Sequence, residues 1–227
     1  MNLDLRIVAP DPGSLVEVRP FVDGQDIIAQ ADPDFPGDDP KTLLGELVAT
    51  DDAREVRLAE AVCTVGCCGA LFVTIQRNGG EVVWNGWRNP DDPELELAEM
   101  RFDAAAYDAE VRRVTADHSW EWPARTVARL LDAELREHED WFARWDCEFS
   151  GIGVYRADSI DLFFMHPRSA QHQLQFRIQF VLTDREPADQ ARGFAGLVSR
   201  SDPRSIGKVV GGTREAAAQL GYEWHGN

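Results

Sequence analysis

The chain has 227 residues, 44% of them hydrophobic, with a formal net charge of -17 and a pI near 4.6. That length and apolar content are enough to bury a core, and they exclude a disordered chain. The charge repels phosphate backbones and anionic lipid headgroups, so nucleic acid and membrane surfaces are not expected partners; it is compatible with a basic protein or a cation, and it also serves simply to keep the chain in solution.

The start, MNLDLRIVAPDPG, has no basic segment, apolar stretch or small-residue cleavage site, and no apolar run reaches membrane-spanning length. The expected compartment is the cytoplasm, where thiols stay reduced. Strands are predicted over residues 3–8 and 15–22, with a turn at Asp23-Gly24. Residues 30–45, QADPDFPGDDPKTLLG, read as a loop. Its aspartates do not make a calcium loop: counted from Asp32, the fifth position is Pro36 and the twelfth Leu43.

Three strands follow, over residues 55–63, 70–77 and 81–88. The NGG at Asn78 to Gly80 is the strongest hairpin signal in the chain. Strand alternation puts Leu71, Val73 and Ile75 on one face with Val82 and Trp84. It puts Phe72 and Thr74 on the other with Val83 and Trp87. Both faces are apolar enough to predict cover on both sides. Residues 89–100 read as an acidic connector.

A helix is predicted over residues 102–117, capped by Asp103, with Tyr107, Val111 and Val114 as its apolar stripe. A longer one starts at Pro123 and carries Val127, Leu130, Leu131, Leu135, His138, Phe142 and Trp145 at helical spacing. Strands are then predicted over residues 148–155, 160–165 and 173–182. The last alternates strictly between Leu174, Phe176, Ile178, Phe180 and Leu182 on one face and Gln173, Gln175, Arg177, Gln179 and Val181 on the other. Helices over residues 187–199 and 202–220 close the chain, with a break at Gly211-Gly212, recapping by Thr213 and an end at Gly221. The expected fold is a single α+β domain over residues 1–227. It has one mainly antiparallel sheet of six to eight strands and about four packed helices, and a two-lobed division at 1–120 and 121–227 is the variant of it.

Three of the four cysteines, Cys63, Cys67 and Cys68, fall within six positions. Three readings stand side by side. They are small apolar residues in a crowded hairpin. They are zinc ligands, completed by Cys147 or a histidine, although the C-x2-C knuckle is missing. Or one of them is a redox or nucleophilic thiol, although no neighbouring cation in sequence lowers its pKa.

His138 has Glu134 one turn before it, an arrangement that binds a metal or orients an imidazole, or else makes a boundary pair. His166 and His172 bracket a loop between two strands and are candidates for a site at the sheet's end. Gln173, Gln175, Arg177 and Gln179 are candidates for a polar partner-binding face, because antiparallel sheets leave one face open. No nucleophile elbow, phosphate-binding loop or dinucleotide fingerprint occurs, so no catalytic residue is assigned.

The segment CCGALFVTIQRNGGEVVWNGWRNP, residues 67–90, resembles a group of uncharacterised actinobacterial proteins that carry a GCCGA run followed by a V-x-W hairpin. The likeness spans residues 54–135. It implies no activity and assigns no site. Three functions are therefore carried forward. The leading one is an acidic binding module of the inhibitor or immunity type for a basic partner. The others are a zinc or thiol protein centred on the cysteine cluster, and an enzyme with a pocket near His138, His166 and His172.

Overall fold

The computed structural model describes residues 1–61, 69–169 and 172–225. Among them the fold is α+β, with eleven strands in three antiparallel sheets and eight helices. The mixed class stands. The counts exceed the expected six to eight strands and four helices because short elements occupy segments that read as loop or helix. The chain divides into two compact units, Met1–Trp120 and Glu121–Asn227.

In unit 1, β1 (Leu3–Val8) and β2 (Glu17–Val22) pair with Leu3 opposite Val22, and β3 (Gln25–Asp26) follows the Asp23-Gly24 turn. Both turn residues have positive φ, as a two-residue hairpin turn requires. Asp26 then caps α1 (Ile27–Ala31), and Asp39, followed by Pro40 at the first helical position, caps α2 (Pro40–Glu46). These two helices take both ends of the predicted loop, residues 30–31 and 40–45. Their stripes are short, but Ile27, Ile28, Leu43 and Leu44 are buried and fix them in place.

The second sheet runs β4 (Arg54–Glu60), β5 (Ala70–Asn78), β6 (Glu81–Arg88) and β7 (Met100–Asp103), in that spatial order. Asn78 pairs with Glu81, so Gly79-Gly80 is the hairpin turn. Leu71, Val73, Ile75, Val82 and Trp84 are all buried on one face, as the alternation predicts. The opposite face is half open: Phe72 and Thr74 are half-buried, and Gln76 and Arg88 are exposed. Trp87 is not on that second face. Phe72 pairs with Arg88 and Thr74 with Asn85, so β6 carries an extra residue between them. The bulge at Gly86 (φ +58) inverts the alternation. Trp87 therefore lies on the Trp84 side, with the two indoles edge-on at 6.1 Å.

The Asp103 side chain accepts from the Ala106 N–H at 2.9 Å and starts α3 (Ala104–Ala116). Tyr107, Val111 and Val114 point into the core, where Trp84 also meets Phe102 and Tyr107 edge-on. The outer face of α3 serves the edge of β1. The Leu5 N–H donates to Glu110 Oε1 at 2.7 Å and Arg113 Nη2 donates to the Leu5 carbonyl at 3.0 Å. An exposed strand edge is thereby closed to further pairing. Arg113 and the Leu5 amide hold the Glu110 carboxyl below its ordinary pKa.

In unit 2, α4 (Pro123–Glu137) starts at its proline and buries Val127, Leu131 and Leu135. It ends one residue before His138, whose φ of -127° and ψ of 49° are not helical. A separate turn, α5 (Asp140–Ala143), brings in Phe142. The strands β8 (Glu148–Gly153), β9 (Ser159–His166), β10 (Leu174–Val181) and β11 (Lys208–Gly211) form one sheet in the order β11-β10-β9-β8. α4 packs against β8, β9 and α6 (Pro187–Arg200), so the helices cover one face. The helix expected over residues 202–220 is interrupted. α7 (Pro203–Ile206) and α8 (Arg214–Gln219) flank β11, in which Val209 pairs with Phe176 and is buried. Gly207 ends α7, and a β-branched pair at an open sheet edge favours a strand over a continued helix.

The bulge gives a direct test. An alanine Cβ at Gly86 would sit 3.0 Å from Thr74 Oγ1 on a left-handed backbone, whereas Gly80 has no positive φ and no atom within 4 Å of its Cβ position. Gly86→Ala is expected to lower stability by about 1–2 kcal/mol in urea unfolding, and Gly80→Ala by less than about half of that. Equal losses would contradict the bulge.

Candidate docking cleft

The acid of this chain is unevenly placed. Unit 1 holds 24 acidic and 10 basic residues, a formal net charge of -14; unit 2 holds 16 and 13, net -3. Within unit 1, part of the acid serves local structure. Asp38 grips Arg57 at 2.9 and 3.2 Å, Arg57 also meets Glu60, Arg19 lies between Glu17 and Asp26, and Asp26 and Asp39 cap helices. Such carboxylates are neutralised at short range and offer little to a partner.

Residues 91–99 differ. Five acids, Asp91, Asp92, Glu94, Glu96 and Glu99, stand there with no basic residue. All five are exposed. Glu99 pairs with Arg101 at 2.6 Å, while Glu94 and Glu96 make no ion pair among the described residues. Leu95 and Leu97 alternate with these acids and turn inward, half-buried against the core of unit 1. The alternation is that of an extended segment lying on an apolar surface.

The segment and the end of β6 enclose an open cleft of about 600 Å³. Trp87, Leu95 and Leu97 give it apolar walls, and Glu96 and Glu99 give it carboxylates. The Trp87 Nε1–H donates to the Ala98 carbonyl at 3.0 Å, which ties the indole to the acidic segment and fixes the ring. Sequence reading treated residues 89–100 as connector because of Pro90 and Pro93; the signal that marks the site was the Leu-Glu-Leu alternation behind them.

The residues singled out from sequence fall elsewhere. Cys63, Cys67 and Cys68 lie outside the described residues. Gln175, Arg177 and Gln179 do share the uncovered face of the unit 2 sheet, with half-buried Phe163 and Met165 and with Tyr155 and Val181, each 67% exposed. On that face Arg177 Nε lies 3.9 Å from Asp161. Gln173 precedes β10, and its side-chain amide donates to the carbonyls of Pro167 and Arg168, closing the loop. His138 is 42% exposed, stacks on Trp141 at 4.4 Å and lies 3.8 Å from Glu134. His172 is exposed. His166 is buried on the inner face, against Phe176 and Tyr222. Its Nδ1 lies 2.9 Å from the Asp146 carbonyl; a carbonyl only accepts, so Nδ1 carries the proton. No hydrogen bond, ion pair or ring contact joins any two of these three histidines among the described residues.

Cys147 is buried beside this histidine's strand and donates to the Trp145 carbonyl at 3.4 Å. Burial pushes its thiol up to about 12; Asp202 and Asp146 add to the rise and Arg204 opposes it. Arg204 clasps Asp202 at 2.7 Å and holds that carboxyl below its ordinary pKa. The group is an ion pair packed against a neutral thiol, with no activated nucleophile in it. Among the described residues no group of three or more His, Cys, Asp or Glu side chains is arranged to hold a metal. No helix among them is long and apolar enough to cross a membrane.

No family model, curated protein or solved structure matches the chain. The functional reading therefore rests on geometry and charge alone.

Cys147 is expected to resist iodoacetamide at pH 8 in the folded chain and to alkylate fully in denaturant, read by peptide mass spectrometry. Rapid labelling of Cys147 in the native protein would contradict the placement.

Proposed function

We propose that the chain is an acidic protein-binding module, of the kind that neutralises a basic partner, and that unit 1 carries the docking surface. The observation behind this reading is the segregation of charge: -14 on unit 1 against -3 on unit 2. A field of one sign over one unit steers a cationic partner to that unit and orients it on arrival. The unpaired acids of residues 91–99 add short-range recognition, since they surrender no internal ion pair on binding. The cleft beside them supplies the apolar contact that charge alone lacks.

The test is affinity capture at low ionic strength followed by titration with the purified partner. The partner is expected to be cationic, with a Kd that weakens at least about tenfold between about 50 and 300 mM salt. The double variant Glu94→Gln/Glu96→Gln is expected to weaken binding more than Glu137→Gln/Glu139→Gln, which removes the same charge from unit 2. Failure to recover any partner at low salt, or equal effects of the two pairs, would contradict the proposal.

A further inference from the structure

We propose that the cleft over Trp87 receives an arginine side chain of the basic partner, an inference that rests on the docking reading above. A guanidinium is planar, carries five donors and keeps its charge at every accessible pH. It is best held by an aromatic ring together with a carboxylate. The cleft offers both: the Trp87 indole and the Glu96 carboxylate, beside a Glu99 already paired to Arg101. Leu95 and Leu97 supply apolar surface for the methylene stem.

The chain already builds this arrangement for itself at the next residue of the same strand, on the opposite face of the sheet. Arg88 lies over the Phe72 ring at 4.0 Å while Glu55 takes its Nε and Nη2 at 2.9 and 2.8 Å. Ring, carboxylate and guanidinium are all present there. At Trp87 the ring and the acid are present, and among the described residues no guanidinium is placed over the indole. Arg101 is near in sequence but is engaged: it holds Glu99 at 2.6 Å and Glu81 at 3.0 Å. Glu96 keeps its charge uncommitted.

Two features favour a peptide arginine over a free cation. The cleft is open to solvent along one side, so a side chain can enter it while its backbone stays outside. Its floor is preorganised, because the Trp87 N–H is already bonded to Ala98 and the ring does not need to be ordered on binding. The lysine alternative is weaker on chemistry. An ammonium is more strongly hydrated and cannot lie flat on the ring, so it draws less from the indole than a guanidinium does.

The experiment is calorimetric titration of the full chain with hexa-arginine and hexa-lysine peptides at low salt. Hexa-arginine is expected to bind about threefold or more tighter than hexa-lysine. Trp87→Ala and Glu96→Gln are each expected to weaken hexa-arginine about three- to tenfold. Asp34→Asn, which removes the same unit of charge from an exposed site outside the cleft, is expected to leave it within about twofold. Because Trp87 also touches the core, Trp87→Phe serves as a folded control that keeps a ring and most of the affinity. Its missing indole N–H resonance assigns that signal in the wild-type spectrum, and hexa-arginine is expected to shift it. If hexa-arginine binds but Trp87→Ala and Glu96→Gln behave like Asp34→Asn, the cleft assignment falls while the acidic docking reading survives. If neither peptide binds at low salt, both fall. Equal affinity for the two peptides overturns the choice of arginine.

Discussion

The extra residue in β6 is the constraint on which the candidate site depends. Without the bulge at Gly86, strand alternation would carry Trp87 to the half-open face beside Phe72 and Thr74. With it, Trp87 lies at the rim of the core beside Trp84. An indole at that rim gives the following segment something to cover. Leu95 and Leu97 pack there, the Ala98 carbonyl takes the indole N–H, and the intervening glutamates are left facing water. One left-handed glycine thus decides where the end of an acidic stretch packs: after two turns over residues 89–95, residues 95–99 lie against the rim of the core and line the cleft.

The placement of charge follows a related division. Acids near arginines are drawn into caps and ion pairs: Asp38 with Arg57, Asp26 with Arg19, Glu110 with Arg113 and the Leu5 amide. These secure the edge of one sheet and the loops around it. Of the acids of residues 91–99, Glu99 pairs with Arg101, and Glu94 and Glu96 make no ion pair among the described residues. Like charges held close together on a surface cost stability. Such a cost persists where a partner relieves it, which is how the fold and the proposed function connect. Unit 2, nearly balanced in charge, has the ordinary form of helices on one face of an antiparallel sheet. Its half-buried Asp202–Arg204 pair, neutral Cys147 and inward His166 serve packing.

The elements with chemical punctuation were legible in the sequence. Pro123 starts a helix, Asp103 caps one, the Asn-Gly-Gly run turns a hairpin, and the β10 alternation separates buried from exposed side chains. Elements set by tertiary context were not. α1 and α2 are too short to show a periodic stripe, and only their caps, Asp26 and Asp39, betray them. β11 exists because the edge of β10 is available to Val209, which no local pattern records. His138 lies on the extrapolated stripe of α4, but the helix stops before it. The cleft was the least legible feature. It requires knowing that a bulge re-aims Trp87, and a single glycine within an apolar strand gives only a faint hint of that.

Amide hydrogen exchange on the full chain, with and without hexa-arginine at low salt, tests the account most directly. Slowed exchange concentrated in residues 85–99 is the predicted result, because peptide in the cleft covers the end of β6 and the acidic segment together. Protection centred instead on residues 175–181, the uncovered sheet face of unit 2, or spread evenly over unit 1 without a maximum at the cleft, would contradict it.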